Sequence, residues 1–136
     1  RCQLLEMNEL CRKSGVRFVV LFAPTKAHVT FPLVSDRVDP ARVRAFTAIS
    51  LREELPAPTA FLAELRANVE ARESVVAEWC GKEGIPFLGL TASLRGAALG
   101  GTQVYYTYDQ HWTPPGHEVV ARAIEEFLER TLDPAP

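Results

Sequence analysis

The sequence has 136 residues, of which 47% are hydrophobic, 24% charged and 9% aromatic. This ordinary globular composition excludes a disordered, collagen-like or disulfide-stapled chain. Fifteen Lys and Arg against seventeen Asp and Glu leave a net charge of −2, so no nucleic-acid surface is expected. The longest apolar run, residues 18–23, is far too short to cross a membrane. The length suits a single domain.

The sequence begins with Arg1 rather than Met, inside a pattern typical of a helix. We therefore expect a piece of a longer polypeptide, whose leader or membrane anchor this segment does not reveal. Cys2, Cys11 and Cys80 lack the spacing of metal ligands, and we expect them to be reduced and partly buried.

The sequence of the first half of the chain predicts a helix, then a strand, then a second helix. Apolar spacing indicates a helix over residues 1–13. Residues 16–23 are β-branched and aromatic with almost no polar alternation, which predicts a strand buried on both faces of a parallel sheet. Residues 24–28 are expected to form a loop. Asp39 and the proline after it predict the start of a helix over residues 41–46.

The second half predicts a long amphipathic helix over residues 59–82, a buried strand over 85–90 and a short helix over 91–99. A last helix is expected to begin at Pro114 with Thr113 as its N-cap. Its predicted buried side chains are Val120, Ile124, Phe127 and Leu128. Alternating helices and apolar strands indicate an α/β fold with a parallel sheet, whose missing strands we expect upstream.

The densest polar cluster is the segment YYTYDQHWTPPGHEVVA, residues 105–121. Asp109 and His111 lie two positions apart, so in extended backbone their side chains point the same way and can hydrogen-bond. A carboxylate on one imidazole nitrogen fixes the tautomer and stabilises imidazolium, as a nucleophile's general base requires. The alternative is that Asp109 is a turn or cap acceptor and His111 a surface histidine.

Three further residues are candidates for substrate binding. Lys26 follows the first strand, at the edge where open α/β sheets place their sites, and would steer an anionic or polyhydroxylated substrate unless it is a solvated loop lysine. Trp112 would shield the site or simply pack, and His117 is otherwise a first-turn helix residue. Asp109, His111 and His117 lack a fourth metal ligand, so we expect neither a metal nor a cofactor.

Two segments, IPFLGLTASLRGAALGG and YYTYDQHWTPPGHEVVARAIEEFL, resemble the C-terminal end of the SGNH hydrolases, the GDSL-type esterase and acyltransferase superfamily. The earlier GVRFVVLFAPTKAHVTFP resembles the preceding strand and Pro-x-Lys loop of the same proteins. This resemblance implies that residues 1–136 are the C-terminal part of one SGNH hydrolase-like domain with a flavodoxin-like three-layer α/β/α fold. It further implies Ser-His-Asp chemistry, with His111 as general base and Asp109 orienting it. Bacterial relatives suggest the cell envelope or periplasm.

The nucleophile of that chemistry is missing from the sequence. No Gly-Asp-Ser motif occurs, and the five serines carry no nucleophile signature: Ser14, Ser35, Ser50, Ser74 and Ser93. In a related group, the alginate-type polysaccharide O-acetylation proteins, Asp-x-His-Trp precedes the serine, but no serine follows His111 here. We therefore expect the serine and the oxyanion hole before Arg1, and this segment alone to be inactive.

The leading hypothesis is an ester hydrolase or O-acyltransferase that acts on a small acyl ester or an acylated carbohydrate. The alternative is a non-catalytic SGNH-like module that binds glycan in a cell-envelope or polysaccharide pathway. A metal-dependent hydrolase comes third. A Gly-Asp-Ser motif outside these residues would favour the enzyme, whereas a replaced serine would favour the binding module.

Overall fold

The computed structural model describes residues 2–49 and 54–132, and this part of the chain is mixed α/β with mostly helices. The elements in chain order are α1 (Cys2–Lys13), β1 (Val20–Phe22), α2 (Lys26–Val34), α3 (Pro40–Ala48), α4 (Pro58–Asn68), α5 (Ala71–Lys82), β2 (Phe87–Gly89), α6 (Thr91–Leu99) and α7 (Pro114–Leu132). Four of the expected helices, now α1, α3, α6 and α7, are confirmed. None of these described helices combines the length and the apolar character that a membrane span needs.

The two strands pair in parallel, as predicted, but each is only three residues long. The register pairs Val20 with Phe87, Leu21 with Leu88 and Phe22 with Gly89. The expected burial of β1 on both faces is wrong, because the Leu21 side chain is 42% exposed. Leu88, its partner across the pair, packs against the main core cluster, so the described helices cover β2 more fully than β1.

Two apolar clusters form the core. The larger one joins α2, α6 and α7, and its buried members are Val29, Leu90, Leu94, Val104, Tyr105, Val120 and Ala123. The smaller one gathers α1, α5 and both strands around Trp79, Cys80 and Ile85. In α7, the predicted burial of Val120 and Phe127 is confirmed, whereas Ile124 and Leu128 are half-buried. Cys11 and Cys80 are free thiols, half-buried and buried respectively.

The loop expected over residues 24–28 is wrong, because Thr25 is the N-cap of α2. Thr25 and His28 cap this helix together: Thr25 Oγ1 lies 2.8 Å from His28 Nδ1, and the Thr25 N–H donates to the same nitrogen at 3.3 Å. Pro32 lies inside α2 and has no N–H to give to the His28 carbonyl, four residues earlier. Arg95 Nη2 donates to that carbonyl instead, at 2.8 Å.

The single helix expected over residues 59–82 is also wrong, because the chain turns between α4 and α5 at Val69 and Glu70. No glycine or proline causes this break. The two helices instead follow different partners: α4 packs on α3, and α5 packs on β2. At the end of α4 the Asn68 amide donates to the Glu64 carbonyl, and at the start of α5 Glu70 pairs with Arg95.

Candidate active site

A closed turn connects the buried core to the start of α7. Tyr105 and Trp112 form an antiparallel bridge across its base. The Tyr106 N–H donates to the His111 carbonyl at 3.2 Å, and the Thr113 N–H donates to the Val104 carbonyl at 3.1 Å. Residues 106–111 are therefore held at both ends and lie exposed at the surface.

Asp109 and His111 are in contact within this turn. One carboxylate oxygen, Asp109 Oδ1, accepts a hydrogen bond from the His111 backbone N–H at 2.8 Å and also contacts His111 Nδ1. The predicted pairing is thus present, although the backbone is bent here rather than extended. The His111 side chain is 85% exposed, and no described residue hydrogen-bonds to its other ring nitrogen, Nε2.

The electrostatics of the pair follow from the same two contacts. The backbone N–H of His111 and then its ring hold the pKa of Asp109 below the ordinary value of 3.8. Asp109 is therefore ionised at neutral pH and accepts only, so Nδ1 of a neutral His111 carries the ring proton. In this tautomer the lone pair of Nε2 faces outward and is ready to accept a proton.

Trp112 and His117 lie beside the turn. Trp112 is half-buried and packs against the larger core cluster, and the exposed His117 ring meets it edge-on with centroids 5.4 Å apart. The two rings thus contact each other, and Trp112 directly follows His111 in the sequence. Substrate binding by Trp112 and His117 stays a prediction. The described ranges contain no group of three or more His, Cys, Asp and Glu side chains arranged to hold a metal ion.

Lys26 reaches the same turn from the other side of the chain. It is the first residue of α2, and its ammonium donates to the Tyr106 carbonyl at 2.8 Å and to the Thr107 carbonyl at 2.6 Å. Lys26 is thus a helix residue rather than the loop residue of the alternative prediction. Substrate binding by Lys26 stays a prediction.

Two residues that support the site escaped the sequence analysis. The buried Tyr105 hydroxyl donates to the Pro24 carbonyl at 2.8 Å. Gly116, in the first turn of α7, lies so close to Val104 that a Cβ there would be 2.2 Å from the Val104 carbonyl oxygen. The predicted N-cap is confirmed, since Thr113 Oγ1 accepts from the Gly116 N–H at 3.2 Å.

A family model described as an SGNH hydrolase-like domain, acetyltransferase AlgX, matches residues 57–136. The chain belongs to this family. The resemblance stated from the sequence is thus confirmed, and the match includes the whole turn that carries Asp109 and His111. No curated protein and no solved structure matches the chain.

The family model of the SGNH hydrolase-like domain matches different residues from the three segments on which the resemblance was stated. It covers α4 and α5, for which the sequence analysis found only helical character. It does not reach residues 15–32, so the likeness of β1 and the Pro-x-Lys segment to the family stays a prediction.

Four serines lie in the described residues, all outside the turn that carries His111. Two are exposed, one in the turn after α1 and one in α5; the others lie at the end of α2 and in the first turn of α6. None of these four hydrogen-bonds to His111: Ser14, Ser35, Ser74 and Ser93. Ser50 lies outside the described residues.

Proposed function

We propose that the chain supplies the histidine and the carboxylate of an SGNH-type ester hydrolase or O-acyltransferase that acts on acetylated carbohydrate. The observation that carries the proposal is the double attachment of His111 to Asp109 Oδ1, which leaves Nε2 unpartnered among the described residues. Membership of the family described as acetyltransferase AlgX supports the acetyl group. The carbohydrate is what the resemblance stated from the sequence implies.

The proposed reaction has two half-reactions. Nε2 of His111 accepts the proton of a serine hydroxyl while Oγ forms a bond to the acyl carbonyl carbon, and Asp109 stabilises the resulting imidazolium. The ester C–O bond then breaks, and His111 returns the proton to the leaving alkoxide. In the second half-reaction a water or a sugar hydroxyl gives its proton to His111 and takes the acyl group, which restores the serine.

The serine and the oxyanion hole of this reaction come from chain outside residues 1–136. None of the described serines hydrogen-bonds to His111, and no Gly-Asp-Ser motif occurs. The proposed reaction is compatible with two positions of the serine in the full-length protein. It lies either before Arg1, as we predict from the sequence, or after residue 136.

We also propose that β1 and β2 belong to a larger parallel sheet with helices on both faces. Consecutive β2 residues support this, since Phe87 packs with the cluster around Trp79 and Leu88 packs with the cluster around Leu94. The exposed Leu21 would be covered once the sheet is complete. The result would be the three-layer α/β/α arrangement of the SGNH fold.

A fluorophosphonate probe, which phosphonylates activated serines, tests the proposal in the full-length protein. We expect one labelled serine, and peptide mapping would place it before Arg1 or after residue 136. His111→Ala should slow labelling by on the order of 10² or more, because the general base is lost. Lys82→Ala, on the exposed end of α5, is the control and should label normally.

Two outcomes would contradict the proposal. Labelling that persists at the normal rate in His111→Ala would exclude His111 as the base. A full-length protein with no labelled serine that still binds acetylated glycan would instead support the non-catalytic binding module.

A further inference from the structure

Two segments far apart in the sequence are tied together beside the candidate active site. The Tyr105 hydroxyl donates to the Pro24 carbonyl across 81 residues, and this contact is buried. Lys26 donates to the Tyr106 and Thr107 carbonyls across 80 and 81 residues. The residues at the N-terminus of α2 are therefore hydrogen-bonded to the segment that leads into the turn with Asp109 and His111.

The position of Lys26 is electrostatically unfavourable for the helix itself. It is the first residue of α2, where the positive end of the helix dipole disfavours a cation, and no acidic residue lies in that turn. In the described part of the chain no carboxylate forms an ion pair with Lys26. Its ammonium is instead hydrogen-bonded to two carbonyl oxygens of the turn. Lys26 therefore stabilises the turn rather than α2.

The turn depends on such hydrogen bonds because packing holds it weakly. All its residues from Tyr106 to His111 are exposed. Tyr106 is the link: its carbonyl accepts from Lys26, and its N–H donates to the His111 carbonyl at 3.2 Å. One residue thus connects the ammonium of Lys26 to the backbone of His111.

We propose that Lys26 is a positioning residue, which holds the Tyr106 and Thr107 carbonyls so that the turn presents Asp109 and His111 in one geometry. The inference rests on the proposed function for its effect on turnover. It differs from the substrate-binding role predicted from the sequence, because the ammonium of Lys26 donates both of these hydrogen bonds to backbone carbonyls. Small displacements of catalytic groups reduce rates strongly, so a loosened turn should act on catalysis.

Lys26→Met in the full-length protein tests this role, because methionine has a similar length and no donor. Amide hydrogen exchange should become about tenfold faster at Tyr106 and His111, since hydrogen bonds from a charged group are lost. With an acetyl ester substrate, kcat should fall about tenfold or more while KM stays within about twofold. Lys82→Met removes another hydrogen-bonded ammonium, which lies 2.6 Å from Glu78 Oε1 in α5, and should change neither quantity.

Lys26→Arg keeps a cation with several donors and should restore slow exchange and most of kcat. Exchange in Lys26→Arg as fast as in Lys26→Met would overturn the proposal, and this comparison holds even if the methionine variant folds poorly. A raised KM with unchanged exchange would overturn it in favour of a substrate contact. Exchange needs no turnover, so failure of the proposed function is distinguishable from failure of this inference.

Discussion

Asp109 and His111 are joined through a single oxygen: Asp109 Oδ1 accepts the backbone N–H of His111 and contacts its ring at Nδ1. The backbone bond fixes the residue, and the side-chain contact fixes the ring and its tautomer. The turn thus orients an exposed histidine without burying it. Every expectation for the chemistry of this chain depends on that arrangement.

Removing either partner should abolish most ester turnover in the full-length protein. His111→Ala should lower kcat/KM by on the order of 10³ or more, and Asp109→Asn by a similar factor, because the amide favours the wrong tautomer. Asp36→Asn is the control, since that exposed carboxylate pairs with Arg66 in another part of the chain. A loss below about tenfold in His111→Ala would contradict the assignment of the base.

The pKa of Asp109 should respond only partly to loss of the His111 ring. The larger cause of its lowered pKa is the backbone N–H of residue 111, which His111→Ala retains. We therefore expect the pKa of Asp109 to rise in this variant yet stay below 3.8, measured by the carboxyl ¹³C shift of labelled protein. An unchanged pKa would mean that the ring contact contributes nothing in solution.

The sign of this shift sets the pH dependence of the turn. Because the folded-state pKa lies below the ordinary value, the ionised Asp109 stabilises the turn at every pH above about 4. That contribution is lost as the pH falls through the lowered pKa. Amide exchange at His111, corrected for intrinsic rates, should therefore accelerate as the pH falls through the lowered pKa of Asp109.

Gly116→Ala should destabilise the junction between the turn and α7. Its Cβ would lie 2.2 Å from the Val104 carbonyl oxygen, which is backbone and cannot rotate away. Overpacking of this kind costs about 1–3 kcal/mol of unfolding free energy, measurable by urea denaturation. Gly81→Ala is the matched control, because a Cβ there meets nothing within 4 Å, and it should stabilise α5 by about 0.5 kcal/mol.

Tyr105→Phe should cost about 1–3 kcal/mol of unfolding free energy, because the buried Pro24 carbonyl loses its donor. Burial raises the pKa of Tyr105, so its hydroxyl stays protonated and donates throughout the neutral range. Tyr108→Phe removes the hydroxyl of a fully exposed ring in the same turn and should leave the unfolding free energy unchanged. Equal stability of the two variants would contradict this role of Tyr105.

The sequence analysis did not predict α2, because the local sequence signals for this helix are weak. A threonine N-cap and a histidine three residues later are an unusual capping pair, and Pro32 argues against a helix. In the folded chain Arg95, 67 residues away, supplies the donor that the His28 carbonyl lacks, and no local pattern predicts that contact. The break between α4 and α5 likewise depends on tertiary packing, since α4 packs on α3 and α5 packs on β2.

Features that arise within a few residues could be predicted from the sequence: most helices, the Thr113 cap, the two apolar strands and the Asp109–His111 contact. These depend on periodicity and short-range hydrogen bonds, which the order of residues specifies directly. The partners of Lys26, Tyr105, Arg95 and Gly116 depend on the tertiary fold. Three of these partners are 67 to 81 residues away and the fourth lies across the base of the turn, so they meet only after the chain has folded.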